Sequence, residues 1–268
     1  MSTSEGTRGA KEPAEIYEEL FVPALFQQWG PVLSGLAQIR AGQQVLDVAC
    51  GTGALTRALA ERVGSEGAVV GLDPNPGMLA VAARTVPHVE WIEAAAEALP
   101  FADGRFDAVV SQFGYMFFDD QRRALSEMWR VLRPQGQLAV AVWDALSCSP
   151  GYTVVGELLG ELFGAPVANA FAAPFVLGSA ERLLELCAEA NVADARVRRH
   201  AGRVRFSSLE QLLNAERACV WTLGGLLDDA QFAQLRARAR TALSPFVEPD
   251  GSVSFAVPAL IVTARKGR

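Results

Sequence analysis

The stretch "VLDVACGTG", residues 45–53, decides the fold because it joins an apolar run typical of a buried strand to a tight turn with two glycines. One carboxylate, Asp47, lies inside that apolar run. An unpaired carboxylate in a protein interior carries a large desolvation cost. Asp47 is therefore expected either to be paired or to face a ligand.

Strand and helix patterns alternate regularly from residue 44 to residue 143. The predicted strands cover residues 44–49, 68–73, 89–94, 106–113 and 136–143, and the predicted helices cover 53–64, 75–85 and 120–132. This alternation predicts an α/β fold with a doubly wound, mostly parallel sheet. Residues 194–206 and 251–266 are predicted as the sixth and seventh strands. The last is interrupted at Pro258, which is typical of an edge strand or a bulge.

The glycine turn after the first strand indicates a ligand site. It places backbone N–H groups and the positive end of a helix at the carboxyl edge of the sheet, where open α/β sheets bind their ligands. Asp73 ends the second strand, about 20 residues after Gly53, where an acid accepts hydrogen bonds from both hydroxyls of a ribose. A nucleoside-containing ligand is therefore expected. A dinucleotide fingerprint would need glycine at position 56, where this chain has Thr56, and Asp47 would repel a pyrophosphate.

The composition argues against several classes of protein. A net charge of -6 at pH 7 is unfavourable for binding nucleic acid. No apolar run reaches the roughly 20 residues of a membrane helix, and the first residues lack the apolar stretch of a secretion signal. A cytoplasmic protein without an integral membrane segment is therefore expected. Cys50, Cys148, Cys187 and Cys219 have neither zinc-site nor disulfide spacing, so no metal is expected.

Four motifs in order carry a resemblance to a known family: "VLDVACGTG", "GLDPNPGML", "AEALPFADGRFDAVVSQFG" and "ALSEMWRVLRPQG". Together they resemble the class I S-adenosylmethionine-dependent methyltransferases (Rossmann-like), and in particular the group related to the ubiquinone/menaquinone C-methyltransferases, methyltransferase type 11. The resemblance covers roughly residues 40–145. It explains Asp47, since S-adenosyl-L-methionine carries a cationic sulfonium and an ammonium group.

The patterns along the chain and the resemblance together predict a seven-stranded fold with a helical cap and a defined organisation of the chain. Expected are a disordered tail, an N-terminal helical cap segment broken at Pro23 and Pro31, a cofactor-binding core, a cap or substrate region in two pieces, and the remaining core helix and strands. These parts correspond in that order to residues 1–12, 13–40, 41–145, 146–178 with 208–246, and 179–207 with 247–268. Either a monomer or a homodimer is expected.

The resemblance also implies a set of cofactor-binding residues: Tyr17, Asp47, Ala49, Gly51, Gly53, Asp73, Pro74, Met78, Ala96, Glu97, Gln112 and Phe113. Within this set, Asp47 faces the methionine end, Asp73 holds the ribose diol, and Tyr17 lies near the methionine carboxylate. The chain has Ala95 where relatives have an Asp that accepts from the adenine amino group. Adenine would then be held by backbone atoms or by Glu97.

Aromatic residues outside the core motifs are candidates for a substrate pocket: Phe21, Phe26, Trp29, Tyr115, Phe117, Phe171, Phe175 and Trp221. They would suit a flat or lipid-like acceptor, or they simply pack the cap against the core. Because the methyl group of the cofactor is already activated, the reaction is an in-line displacement that needs alignment and exclusion of water. Tyr115 and Asp144 are candidates for relaying a proton. Neither His88 nor His200 is expected to be catalytic.

The function predicted from the sequence is methyl transfer to carbon, oxygen or nitrogen of a small apolar or aromatic acceptor, with S-adenosyl-L-homocysteine as the product. Two alternatives remain. One is a nicotinamide-dependent oxidoreductase on a Rossmann fold, and the other is a non-catalytic protein that binds S-adenosylmethionine.

Overall fold

The computed structural model describes residues 12–219 and 222–268, and its centre is a seven-stranded sheet. The strands in the described residues are β1 (Gln44–Val48), β2 (Ala68–Asp73), β3 (Glu90–Glu93), β4 (Phe106–Gln112), β5 (Leu132–Trp143), β6 (Arg196–His200), β7 (Arg203–Phe206), β8 (Val253–Ala256) and β9 (Ala259–Arg265). The large sheet has the order β3-β2-β1-β4-β5-β9-β6, and β7 pairs with β8 in a separate sheet. Strands β1 to β5 run parallel, and β9 is antiparallel to β5 and β6. The predicted fold class is confirmed.

Helices cover the sheet and one of its edges. They are α1 (Pro13–Ile16), a π-helix (Tyr17–Phe26), α2 (Trp29–Leu36), α3 (Ala54–Val63), α4 (Pro76–Thr85), α5 (Gln121–Val131), α6 (Pro150–Phe163), α7 (Ala165–Ala172), α8 (Ala180–Glu189), α9 (Leu209–Ala218) and α10 (Asp229–Ala242). Helix α3 packs on β1 and β2, α4 on β2 and β3, and α5 on β4 and β5. Strand β1 lies in the interior of the sheet with residues 45–48 buried, as parallel strands covered on both faces require.

Side chains at the helix starts explain several element boundaries. Asn75 accepts hydrogen bonds from the backbone N–H groups of Gly77 and Met78, and Pro76 follows it in the first turn of α4. Ser179 accepts from the N–H of Arg182 at the start of α8. These caps satisfy N–H groups that have no partner inside the helix.

The expected break of the N-terminal segment at Pro23 is wrong. Pro23 lies inside the π-helix, and the chain turns instead at residues 27–28. A proline ring clashes with the carbonyl four residues earlier in an α-helix, and the wider π turn relieves that clash. Pro31 lies in the first turn of α2, where its missing N–H has no intrahelical partner to lose. Residues 1–11 of the predicted tail lie outside the described residues, and Glu12 is the N-cap of α1.

Two further predictions are corrected at the edge of the large sheet. Residues 194–206 form two strands in different sheets, because the chain leaves the large sheet at Gly202. Trp29 packs so closely there that a Cβ on Gly202 would lie 2.2 Å from its ring. Pro258 marks the return from β8 to β9, and β9 is an interior strand, so neither an edge strand nor a bulge explains the proline. The Val257 N–H donates to the Gly202 carbonyl at 2.9 Å. This bond joins the segment where the chain leaves the large sheet to the segment where it returns.

No helix in the described ranges combines the length and apolar character that a bilayer crossing needs.

Candidate active site

A cavity of about 250 Å³ lies at the carboxyl ends of β1, β2 and β4. Residues of the π-helix, α6, α7 and α9 complete its wall. The structure brings most of the predicted cofactor-binding residues to this one cavity: Tyr17, Asp47, Ala49, Gly51, Asp73, Pro74, Met78, Gln112 and Phe113. It lies at the edge of the sheet where the order reverses between β1 and β4, which is where open α/β sheets bind ligands.

Asp47 is fully buried at the floor of the cavity. Its Oδ2 accepts a hydrogen bond from the Thr56 hydroxyl at 2.6 Å, whereas its Oδ1 has no hydrogen-bond partner among the described residues. Burial raises the pKa of Asp47 to about 7, and the negative charge of Asp73 adds to the rise, while the bond from Thr56 opposes it. Thr56, at the position where a dinucleotide fingerprint has its third glycine, therefore holds this carboxylate through its hydroxyl.

Gln112 supplies a second acceptor without a partner. Its Nε2 donates to the Phe26 carbonyl at 3.5 Å, which fixes the amide, and its buried Oε1 accepts no hydrogen bond from the described part of the chain. Two buried oxygens that line one cavity and lack donors predict a ligand that supplies N–H groups or positive charge.

Asp73 organises the glycine loop. Its Oδ2 accepts from the Gly51 N–H and its Oδ1 accepts from the Asn75 N–H, both at 2.9 Å. Burial raises the pKa of this carboxyl, and the two backbone donors oppose the rise. A carboxylate oxygen has more than one acceptor site, so these bonds fix the side chain and leave capacity for a ligand in the cavity.

Left-handed backbone shapes the loops at the ends of β1 and β4. Gly53 has φ 85° at the start of α3, and a Cβ there would lie 2.9 Å from the Trp91 ring, so both its conformation and the space require glycine. Ala49 (φ 56°) and Phe113 (φ 57°) adopt the same region although they are not glycines. Phe113 is held by stacking on Trp143, with 3.5 Å between ring centroids. Strained residues that packing enforces cluster at binding sites.

Three of the predicted cofactor-binding residues do not line the cavity. Gly53 provides the left-handed backbone at the start of α3 and so shapes the loop. Ala96 is buried in the hydrophobic core. Glu97 accepts from the Asp120 N–H at 3.3 Å, and its carbonyl accepts from Arg123 Nε, so it stabilises the start of α5 and gives no support to a contact with adenine.

Of the aromatic candidates for a substrate pocket, five line the cavity: Phe21, Phe26, Phe117, Phe171 and Phe175. Trp29 packs instead in the core, against Phe113 and Trp143. Trp221 lies outside the described residues.

The two candidates for a proton relay lie away from the cavity. Tyr115 is buried, and its hydroxyl donates to the Gln121 carbonyl at 3.2 Å. Asp144 forms an ion pair with Arg199 and accepts from the Ala145 N–H at 2.8 Å. Both groups are engaged in the packing around the sheet, so the structure gives neither of them a position from which to reach a reacting atom.

Several cavity residues were missed in the sequence, notably Tyr152, Glu216 and Thr222. Glu216 follows Leu212 by four positions in α9 and lies on the same buried face. A carboxylate on an apolar helix stripe is the signal that could have identified it. Among residues 12–219 and 222–268, no group of three or more His, Cys, Asp or Glu side chains is arranged to hold a metal ion.

Part of the chain is similar in sequence to known methyltransferases. Residues 45–136 match a family described as a methyltransferase domain. The chain is 37% identical over 139 residues to the ubiquinone/menaquinone biosynthesis C-methyltransferase UbiE of Xylella fastidiosa, which covers 50% of this chain and 55% of that protein. It is 44% identical over 118 residues to the demethylmenaquinone methyltransferase of Renibacterium salmoninarum, covering 44% and 48%. The chain thus spans about half the length of these curated relatives.

A solved structure is similar to this chain over nearly its whole length. The phosphoethanolamine N-methyltransferase 2 of Haemonchus contortus, in complex with phosphomonomethylethanolamine and S-adenosylhomocysteine, superposes with a TM-score of 0.60. The match covers 95% of this chain and 57% of that one at 18% identity, so it concerns the fold. Residues 45–136 of this chain therefore match a methyltransferase domain family, and the chain has the fold of that solved methyltransferase.

Proposed function

We propose that this protein transfers a methyl group from S-adenosyl-L-methionine to a small apolar or aromatic acceptor. The observation that carries the proposal is the buried Oδ1 of Asp47, which has no hydrogen-bond partner within residues 12–219 and 222–268, accompanied by the Oε1 of Gln112, which lacks one there as well, in the same cavity. Two orphaned acceptors fit the ammonium group of the methionine moiety. When bound, this cofactor supplies an activated methyl group on a cationic sulfur.

The residues of the chain have distinct tasks in this proposal. Asp47 Oδ1 and Gln112 Oε1 accept hydrogen bonds from the ammonium group, and the Thr56 hydroxyl keeps Asp47 oriented. Asp73 accepts hydrogen bonds from the ribose hydroxyls while it holds the Gly51 loop in place. Aromatic side chains of the π-helix and α7 keep water from the methyl group, which favours displacement by the acceptor.

Electrostatics argues against a nicotinamide dinucleotide. Asp47 and Asp73 line one cavity, and like-charge repulsion contributes to the raised pKa of Asp47. A pyrophosphate would add negative charge beside them, whereas a cationic ligand reverses the sign of the interaction. The cavity lining also extends past the glycine loop to Phe171 and Phe175, an apolar surface that cofactor binding alone does not require, and this favours an enzyme over a protein that only binds the cofactor.

We further propose that the helices after β5 form the acceptor side of the site, with Phe171 of α7 and Phe175 packing the acceptor. The names of the curated relatives, a ubiquinone/menaquinone biosynthesis C-methyltransferase and a demethylmenaquinone methyltransferase, support an aromatic acceptor. The apolar wall of the cavity supports the same class of molecule.

Calorimetric titration with S-adenosylhomocysteine tests the cofactor assignment. The expected result is 1:1 binding that Asp73→Ala weakens by about 100-fold, because two hydrogen bonds to a charged acceptor are lost. Asp103→Ala is the control, since that carboxylate is exposed at the surface and bonds Arg130. Thermal unfolding of both variants verifies that they are folded. Unchanged affinity in a folded Asp73→Ala variant, or NADH binding that competes with S-adenosylhomocysteine, would contradict the proposal.

A further inference from the structure

The far end of the cavity contains a carboxylate that the cofactor does not explain. We call this region the acceptor end and define it by Tyr152, Phe171, Phe175, Glu216 and Thr222. Phe171 and Phe175 lie around the Tyr152 ring, with centroids at 6.0 and 5.8 Å. Apart from Glu216, its lining is aromatic or neutral.

Glu216 is buried to 1% exposure in this apolar wall. Its Oε2 has no hydrogen-bond partner among the described residues. The Tyr152 and Thr222 hydroxyls lie close enough to stabilise the ionised carboxylate, yet burial outweighs them and raises the pKa of Glu216 to about 7. A carboxyl group with a pKa in this range can both take up and release a proton near neutral pH.

A structural role as half of an ion pair is excluded within the described residues. Glu216 forms no salt bridge there, whereas its helix neighbours Glu210 and Arg217 are paired with Arg236 and Asp229 at the surface. A buried carboxylate without a cation or a full set of donors is costly, unless a ligand supplies the missing donor.

The titratable groups around Glu216 are neutral or negative. The Tyr152 hydroxyl, on α6, lies close to Glu216. Cys219 follows Glu216 in the chain and interacts electrostatically with both Tyr17 and Tyr152. The pKa of each of the two tyrosines is raised well above its ordinary value, so both hydroxyls stay protonated. Within the part of the chain that the structure describes, the remaining charged groups that line the cavity are Asp47 and Asp73. Glu216 is thus the carboxyl group of the acceptor end.

We propose that Glu216 accepts the proton of the methyl acceptor and that this acceptor is an aromatic hydroxyl compound, an inference that rests on the proposed function. An aromatic ring matches the phenylalanine wall, and one O–H group matches the free Oε2. An amine cation would also bond to the carboxylate, but it would be repelled by the sulfonium beside it, whereas an ionising hydroxyl is attracted.

The step balances in atoms and charge. Oε2 of Glu216 takes the hydroxyl proton while a lone pair of the hydroxyl oxygen forms a bond to the methyl carbon. The bond from that carbon to sulfur breaks, and its electron pair stays on sulfur, which becomes a neutral thioether. The proton on Glu216 passes to water after the products leave. A carboxylate whose pKa lies near neutrality is suited to this transfer.

The test uses the full chain saturated with S-adenosylhomocysteine and two probes, 2-naphthol and 2-methoxynaphthalene. The second probe has the same ring but no O–H, and it is the product expected from methylating the first. At pH 8 the wild type is expected to bind 2-naphthol about 10- to 100-fold more tightly than 2-methoxynaphthalene. The absorption of bound 2-naphthol is expected to shift toward that of its anion. Glu216→Gln should lose most of the preference and the shift, because an amide cannot take the proton.

Two variants separate this role from a structural one. Glu210→Gln removes a carboxylate from the exposed face of the same helix and should keep both signals. Tyr152→Phe removes a hydroxyl that lowers the pKa of Glu216, so the preference for 2-naphthol should appear at a higher pH than in the wild type. In the wild type the preference should shrink below about pH 7, as Glu216 becomes protonated.

Failure of 2-naphthol to bind the saturated protein, or equal binding of the two probes, would overturn the inference and leave the cofactor assignment standing. Retention of the preference and the spectral shift in a folded Glu216→Gln variant would overturn it as well. Absence of S-adenosylhomocysteine binding in the wild type is a different result, since it refutes the proposed function and this inference with it.

Discussion

Replacing Asp47 with Asn is expected to make the ligand-free protein more stable and the cofactor complex weaker. Asp47 is buried, and only one of its oxygens has a partner among the described residues. In the absence of a cationic ligand its charge is therefore a cost to folding. In the proposed complex the same charge is the main partner of the ammonium group.

The magnitude follows from the pKa of Asp47, which rises from its ordinary value of 3.8 to about 7. Each pKa unit corresponds to about 1.4 kcal/mol, so the ionised side chain lowers the free energy of unfolding by about 4 kcal/mol above pH 7. An Asn keeps an acceptor for Thr56 but buries an amide without partners, which costs about 1–3 kcal/mol. The net gain for Asp47→Asn is about 1–3 kcal/mol at pH 8.

The pH dependence has a definite sign. Between about pH 4 and pH 7 the folded wild type holds a proton on Asp47 that the unfolded chain has lost, so its stability falls as pH rises through this range. Above pH 7 both states are ionised and the cost is constant. Below pH 4 both are protonated and the cost vanishes. The advantage of the Asn variant should therefore grow from pH 4 to pH 7 and then level off.

Urea denaturation between pH 4 and pH 8, with and without S-adenosylhomocysteine, measures both effects. The ligand should stabilise the wild type more than the variant, whose affinity should be about 10- to 100-fold lower. Asp107→Asn is the matched control. Asp107 is equally a buried strand carboxylate, but it pairs with Arg133 and accepts from the Gln44 N–H, so its Asn variant should be less stable. An Asp47→Asn variant that is less stable than the wild type at pH 8 without ligand would refute the reasoning.

Two further predictions concern the loop and the packing of the core. Gly53→Ala should lower the free energy of unfolding by about 1–2 kcal/mol more than Gly42→Ala in urea denaturation, because the two glycines have similar φ angles (85° and 81°) but only Gly53 meets the Trp91 ring. Equal losses would contradict the assigned close contact. Tyr115→Phe should cost about 1 kcal/mol through its lost bond to the Gln121 carbonyl and leave methyl transfer within about twofold. A tenfold loss of activity would contradict this prediction and indicate that Tyr115 takes part in the reaction.

The grouping of residues at the carboxyl ends of β1 and β2 could be predicted because its signals are local in the chain. A carboxylate in an apolar run, two glycines and an acid at the end of the next strand are bound to meet when parallel strands align their carboxyl ends. The structure places Asp47, Gly51 and Asp73 together around the cavity accordingly. Thr56 could be noticed in the sequence as a departure from a dinucleotide fingerprint, but its bond to Asp47 required the structure.

Predictions failed where one periodic pattern spans two structural environments. The alternation through residues 194–206 is continuous, and only the packing of Trp29 against Gly202 shows that the chain changes sheets there. Pro23 reads as a helix break, yet the packed π-helix accommodates it. Local propensity gives no information about either outcome, since tertiary contacts provide the energy that overrides it.

The sequence by itself determined the doubly wound core and the meeting of Asp47, Gly51 and Asp73 at the carboxyl edge of the sheet, because short-range patterns and the geometry of parallel strands suffice to specify them. The tertiary structure alone decided the acceptor end. Glu216, Tyr152 and Phe171 lie on three different helices, and no spacing in the chain relates them to Asp47. A surface made by packing distant helices depends on long-range burial, which periodicity within one segment does not encode.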